Sequence, residues 1–127
     1  MPTLQETVTS TITWFEIPAT NFARAIRFYE TIFGVALRHD AAWPKLAIFP
    51  YEKPGISGAI VHEEKLKPSA DGVVIYLNCE GKFDAVLNRV EEAGGAIVEQ
   101  KTHLPDIGWI AQIRDTEGNR IGLHAAE

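Results

Sequence analysis

Two stretches of the chain carry apolar residues at helical spacing. From Asn21 to Phe33 the residues Phe22, Ala25, Ile26, Tyr29, Ile32 and Phe33 form one stripe, with Arg24, Arg27 and Glu30 on the other side. The pattern predicts an amphipathic helix capped by Thr20 or Asn21 and stopped by Gly34, which can take left-handed backbone. From Lys82 to Ala93 the stripe is Phe83, Val86, Leu87, Val90 and Ala93, with Gly94 and Gly95 as the stop. The rest reads as short strands. Ile12–Ile17 and Val73–Leu77 precede the two helices. Val35–Arg38, Lys45–Phe49 and Gly58–His62 follow the first; Ile97–Gln100, Trp109–Arg114 and Arg120–His124 follow the second. Turn residues separate them at Tyr51–Gly55 and Asp115–Asn119.

The order of elements repeats. Trp14 stands to Ile75 as Phe22 to Phe83, Ile26 to Leu87 and Gly34 to Gly95. After a short insertion in the second half, Leu46 matches Ile110, Phe49 matches Ile113 and Gly58 matches Gly122. This predicts a single α+β domain over residues 1–127, made of tandem βαβββ modules at approximately 10–64 and 72–127 joined by a linker, 65–71. The modules would form a cupped sheet around a cleft. The alternative is one ferredoxin-like sandwich with accidental symmetry.

Bulk properties narrow the class. A chain of 127 residues, 46% hydrophobic and 23% charged, can bury a core without staples. A net charge of -5 argues against a nucleic-acid partner, and no apolar run is long enough to span a membrane. Met1–Ser10 is polar and lacks a secretory pattern, so a cytoplasmic location is expected. Cys79 is the only cysteine, which leaves neither an internal disulfide nor a cysteine-rich zinc site.

Three motifs carry a family resemblance: Phe15-Glu16-Ile17-Pro18, Arg24-Ala25-Ile26-Arg27-Phe28-Tyr29-Glu30 with Ile32-Phe33-Gly34, and the closing Asp115-Thr116-Glu117-Gly118-Asn119. Together they resemble the vicinal oxygen chelate superfamily of glyoxalase I, extradiol dioxygenases and bleomycin and fosfomycin resistance proteins. The closer likeness is to the subgroup related to lactoylglutathione lyase. Thr116 stands where that family's closing motif has proline. The resemblance implies a divalent metal between the modules, with ligands at Trp14 and Ile75 on the first strands and at Gly58 and Gly122 on the last. None of these side chains can ligate a cation. No cofactor is therefore expected, except a metal in a non-standard site, and the ligand set speaks against standard glyoxalase I activity.

Strand alternation then suggests what else faces the cleft. Glu16 would accompany Trp14, His124 would accompany Gly122, Ile60 and His62 would accompany Gly58, and Leu77 and Cys79 would accompany Ile75. The expected ligand site is Trp14, Gly58, Ile60, Ile75, Leu77 and Gly122, with the two glycines leaving room for a substrate ring. Glu16 and His124 are the candidate catalytic pair, as proton shuttle or displaced two-ligand metal site. Glu16 could equally bond the helix start, and His124 could face solvent. His39, His62 and His103 are expected at the surface, Asp115, Gly118 and Asn119 in a structural turn, and Cys79 as a small hydrophobe. Trp14, Trp43 and Trp109 could stack on a ligand or fill the core. Three functions remain open: a metal-free glyoxalase-like enzyme or binder of a small organic molecule, a sequestering protein of bleomycin-resistance type, and a metal-dependent lyase or isomerase with displaced ligands. A homodimer is expected in each case.

Overall fold

The first helical stripe folds as read. Helix α1 (Phe22–Phe33) begins at Asn21, whose side chain accepts the Arg24 N–H at 3.0 Å. It ends at Gly34, where a φ of 66° lets the cap N–H reach the Glu30 carbonyl at 2.9 Å. Its inner face buries Ala25, Ile26, Phe28, Tyr29, Ile32 and Phe33, and each large side chain so covered contributes about 1.5–3 kcal/mol. The computed structural model describes residues 10–126, so the opening segment read for localisation lies outside the described residues up to residue 9. No helix among the described residues is long and apolar enough to cross a membrane.

The other elements are β1 (Trp14–Pro18), β2 (Leu46–Ile48), β3 (Ser57–Val61), β4 (Ile75–Asn78), α2 (Phe83–Arg89), β5 (Ala96–Leu104), β6 (Gly108–Arg114) and β7 (Arg120–Ala125). They form two sheets ordered β1-β3-β2 and β4-β7-β6-β5. β1 and β4 each run parallel to the last strand of their module, and the remaining pairs are antiparallel. The helices pack against each other, and one hydrophobic core runs through both modules.

Three elements depart from the sequence expectation, one of them β5, which runs on past Gln100 to Leu104. The strand expected at Val35–Arg38 shrinks to one bridge, Arg38 to Ile48. Glu30 Oε2 takes the Leu37 N–H at 2.8 Å, which removes a donor that a strand ladder would use. The second helix is regular only to Arg89, and the chain continues in turns to Gly94, with the Gly95 N–H bonded to the Val90 carbonyl.

The modules differ in which strand face meets the helices. In the first, Phe15, Ile17 and Ala19 point to the core beside Gly58 and Ile60. In the second, Ile75, Leu77 and Cys79 do so beside Ile121 and Leu123. Gly58 thus lies on the helix side and Gly122 on the open side, although the sequence repeat equates them. The slip comes from the strand-to-helix joint. Ile17 is followed closely by the Asn21 cap, whereas Leu77 is followed by one residue more before Lys82, with Gly81 at a φ of 78° making the extra turn.

The closing turn latches the second module to the first. The buried Asp115 carboxylate accepts from Tyr29 Oη (2.6 Å), Asn119 Nδ2 (3.0 Å) and the backbone N–H groups of Glu117 and Asn119 (both 2.9 Å). Asn119 Nδ2 also donates to the Pro18 carbonyl at 2.8 Å. Glu117 takes the Asn21 N–H at 2.7 Å and pairs with Arg24 at 2.8 Å, its side chain inaccessible while Arg24 stays partly exposed. Burial pushes the Glu117 carboxyl up, but bonds from Arg24, Asn21 and Thr116 and the Arg24 charge outweigh it and hold the group below its ordinary value. Burial, then the Asp115 charge, raises the Tyr29 hydroxyl well above its ordinary value, so it stays a donor.

Candidate functional site

The open face of the second module is built around Gly122. In register it lies between Tyr76 on β4 and Gln112 on β6. A Cβ on Gly122 would fall 2.3 Å from the Tyr76 ring, so only glycine lets that ring lie across β7. The ring reaches Gln112, whose Nε2 donates to Tyr76 Oη at 2.7 Å. Arg120, two residues before Gly122 on the same face, donates from Nη1 to Gln112 Oε1 at 2.9 Å and from Nε to the Ala70 carbonyl at 3.1 Å. The arginine fixes which way the amide points, and the amide fixes the tyrosine. Because Tyr76 Oη accepts from Gln112, its own proton is left to donate to a ligand.

The open face of the first module contributes Trp14 and Glu16, both exposed, with the indole N–H donating to Glu16 Oε2 at 3.2 Å. Glu16 and Arg120 border one cleft of about 280 Å³ beneath the linker, where Ile75 and Asn119 also stand. That cleft offers a guanidinium and a carboxylate, while Trp14 and Tyr76 stand exposed, each on the open face of its own module.

The structure divides the residues singled out from sequence. Trp14, Glu16, Gly122 and His124 stand on the open faces. Gly58 and Ile60 do not. Ile60 is fully buried in the core, and the Phe15 ring, 2.5 Å from where a Cβ would be, covers Gly58. Ile75 and Leu77 pack on the core side, and each lines a cleft, Ile75 the one beneath the linker and Leu77 a second one. The room expected at the two glycines is taken by the chain's own rings, Phe15 and Tyr76. Glu16 and His124 are not hydrogen-bonded to each other: Glu16 holds Trp14, and His124 Nε2 bonds the Ile107 carbonyl at 2.8 Å. Sequence reasoning missed Tyr76, Gln112 and Arg120, although the turn at Asp115–Asn119 sets the β6–β7 register that places Gln112 opposite Gly122.

The other candidates are accounted for locally. Trp43 lies under Arg38, and Trp109 packs against Lys101 and His103. His39, His62 and His103 are exposed. Cys79 is buried, which pushes its thiol up to about 11, so it is not a nucleophile.

A metal of the type the fold family uses does not fit these residues. Trp14, Gly58, Ile75 and Gly122 offer no side-chain donor, two of them face the core, and Gly122 is roofed by Tyr76. Among the described residues no group of three His, Cys, Asp or Glu side chains converges.

Known structures share this fold. A glyoxalase/bleomycin resistance protein from Albidiferax ferrireducens is similar over 93% of this chain and 100% of its own, at 16% identity and a TM-score of 0.74. TnmS3, an antibiotic binding protein from Streptomyces, is 20% identical over 95% of this chain and 99% of its own, with a TM-score of 0.62. A lactoylglutathione lyase from Agrobacterium tumefaciens is 16% identical, covering 91% and 93%, with a TM-score of 0.62. No curated protein matches the chain. Residues 11–123, which include both modules and the latch between them, match the Glyoxalase/Bleomycin resistance protein/Dioxygenase superfamily, and the chain belongs to that family.

Proposed function

We propose that this protein binds a small planar organic molecule on its open face without the family's metal, and that it sequesters the molecule rather than transforming it. One observation carries the reading: the Tyr76 ring is laid over Gly122 and locked by Gln112 and Arg120. A ring fixed in this way and half exposed is a stacking surface prepared before ligand arrives, which reduces the entropy lost on binding. Arg120 and the Tyr76 hydroxyl would meet acceptor atoms on the ligand, and Glu16 would meet a donor. Acid–base catalysis by Glu16 and His124 has less support, because each is bonded elsewhere.

Titration with a panel of planar aromatic compounds, followed by tryptophan fluorescence, tests this. A binder should quench the wild type and not Trp14→Phe, and Tyr76→Ala should weaken it about tenfold, the loss of one stacking contact. Glu16→Gln should leave binding nearly intact. Binding indifferent to both aromatic substitutions would overturn the proposal, as would a stoichiometric divalent ion in protein purified without chelator. The exposed Trp14 and Tyr76 also support a homodimer that covers them. Light scattering should then report twice the chain mass, falling to the monomer in Trp14→Glu.

A further inference from the structure

A second cleft, of about 360 Å³, lies at the opposite end of the seam between β1 and β4, where α1 ends and α2 begins. Its walls are Phe15, Phe33 and Phe49, with ring centroids 5.7 Å apart for Phe15–Phe49 and 6.4 Å for Phe33–Phe49, and Leu77 closes the side. Lys82 stands at its rim. The ammonium donates to the Phe33 carbonyl at 3.2 Å and sits 5.3 Å over the Phe33 ring, so the charge is fixed in place by the end of α1. That single bond leaves further N–H donors on Lys82. Asn78 lies beside it; its Oδ1 accepts the Glu80 N–H at 2.8 Å, which turns the amide NH₂ the other way.

From this we infer a second ligand site, separate from the open face, for a single-ring aromatic monocarboxylate. The ring would lie among the three phenylalanines, and the carboxylate would accept from Lys82 and Asn78. The volume is at the small end for organic ligands and is ample for one ring with its carboxylate. Glu80 also borders the cleft, its Oε1 accepting the Ala126 N–H at 2.8 Å. Its charge repels a second carboxylate, which selects monoanions over dianions.

Benzoate is the probe, with benzylamine and phthalate as charge controls, followed by heteronuclear NMR of the whole chain. Benzoate should shift resonances of Phe33, Phe49 and Lys82 saturably, and phthalate and benzylamine should bind more weakly. Lys82→Met keeps an apolar stem over Phe33 and removes the charge. It should lower the melting temperature only slightly, by the loss of the bond to the Phe33 carbonyl, and weaken benzoate about tenfold, as expected for one charge-assisted bond. Gln112→Ala, on the open face, should leave benzoate binding alone, so this site and the one proposed above fail separately. No saturable shift with benzoate, shifts confined to Tyr76 and Gln112, equal binding of benzylamine, or unchanged affinity in Lys82→Met would each overturn the inference.

Discussion

Gly58 and Gly122 occupy matching places in the sequence repeat, and each has an aromatic ring where its side chain would be. The likeness ends there. At Gly58 the ring is Phe15, partly buried and packed against the core, and the Phe15 carbonyl also crowds the site at 2.3 Å. At Gly122 the ring is Tyr76, half exposed, hydrogen-bonded sideways to Gln112, and the nearest atoms are all in that ring. One glycine permits close packing between strand backbones; the other permits a surface. The same residue type at equivalent places thus has a structural role in one half and a presenting role in the other, because one extra residue before α2 turns β4 over.

The largest effect should come from cutting the latch that holds the two halves in this relation. Asp115→Ala leaves the buried Tyr29 hydroxyl, the Asn119 amide and two backbone N–H groups without their acceptor, at a cost of about 4 kcal/mol by urea unfolding. Gly58→Ala should follow at about 3 kcal/mol, since buried backbone must move to admit a methyl group. Phe15→Ala should not rescue it, as the carbonyl remains and the core loses a ring. Gly122→Ala should cost only about 1 kcal/mol, because an exposed ring can swing into water. Adding Tyr76→Ala should recover most of that loss, a positive coupling that Gly58 lacks. Equal costs at the two glycines would remove the distinction between them.

The smallest effect is with pH. The folded Glu117 carboxyl lies below its unfolded value, so its contribution is fully present above the unfolded value of about 4.3 and is lost as pH falls through the folded one. Wild type should therefore lose stability relative to Glu117→Gln on acidification below that point, as followed by chemical denaturation at a series of pH values.

Much of this was legible in the residues, and the part that was not has a definite cause. Periodicity placed α1 and its Gly34 stop, and the closing motif placed the turn at Asp115. The faces of β1 and β4 were not legible by matching alone. Glu80 and Gly81 add a residue that helix-to-helix matching absorbs silently, and a slip of one exchanges every inward side chain for an outward one. β3 gave no help, since Ser57 through Val61 are all buried and show no alternation. The Asp115 turn was read as structural, but its reach back to Pro18, Asn21, Arg24 and Tyr29 crosses the whole chain and leaves no local trace.

That reach bears on how the protein is made. Helix α1 and the end of β1 receive hydrogen-bond partners from residues 86 to 101 positions later in the chain. During synthesis the carbonyl of Pro18 and the hydroxyl of Tyr29 have only water as a partner until Asp115–Asn119 has left the ribosome. Contacts so distant in sequence close late, because the intervening loop entropy is lost before they return anything. The two modules, so alike in outline, would then mature together in one cooperative step rather than one after the other.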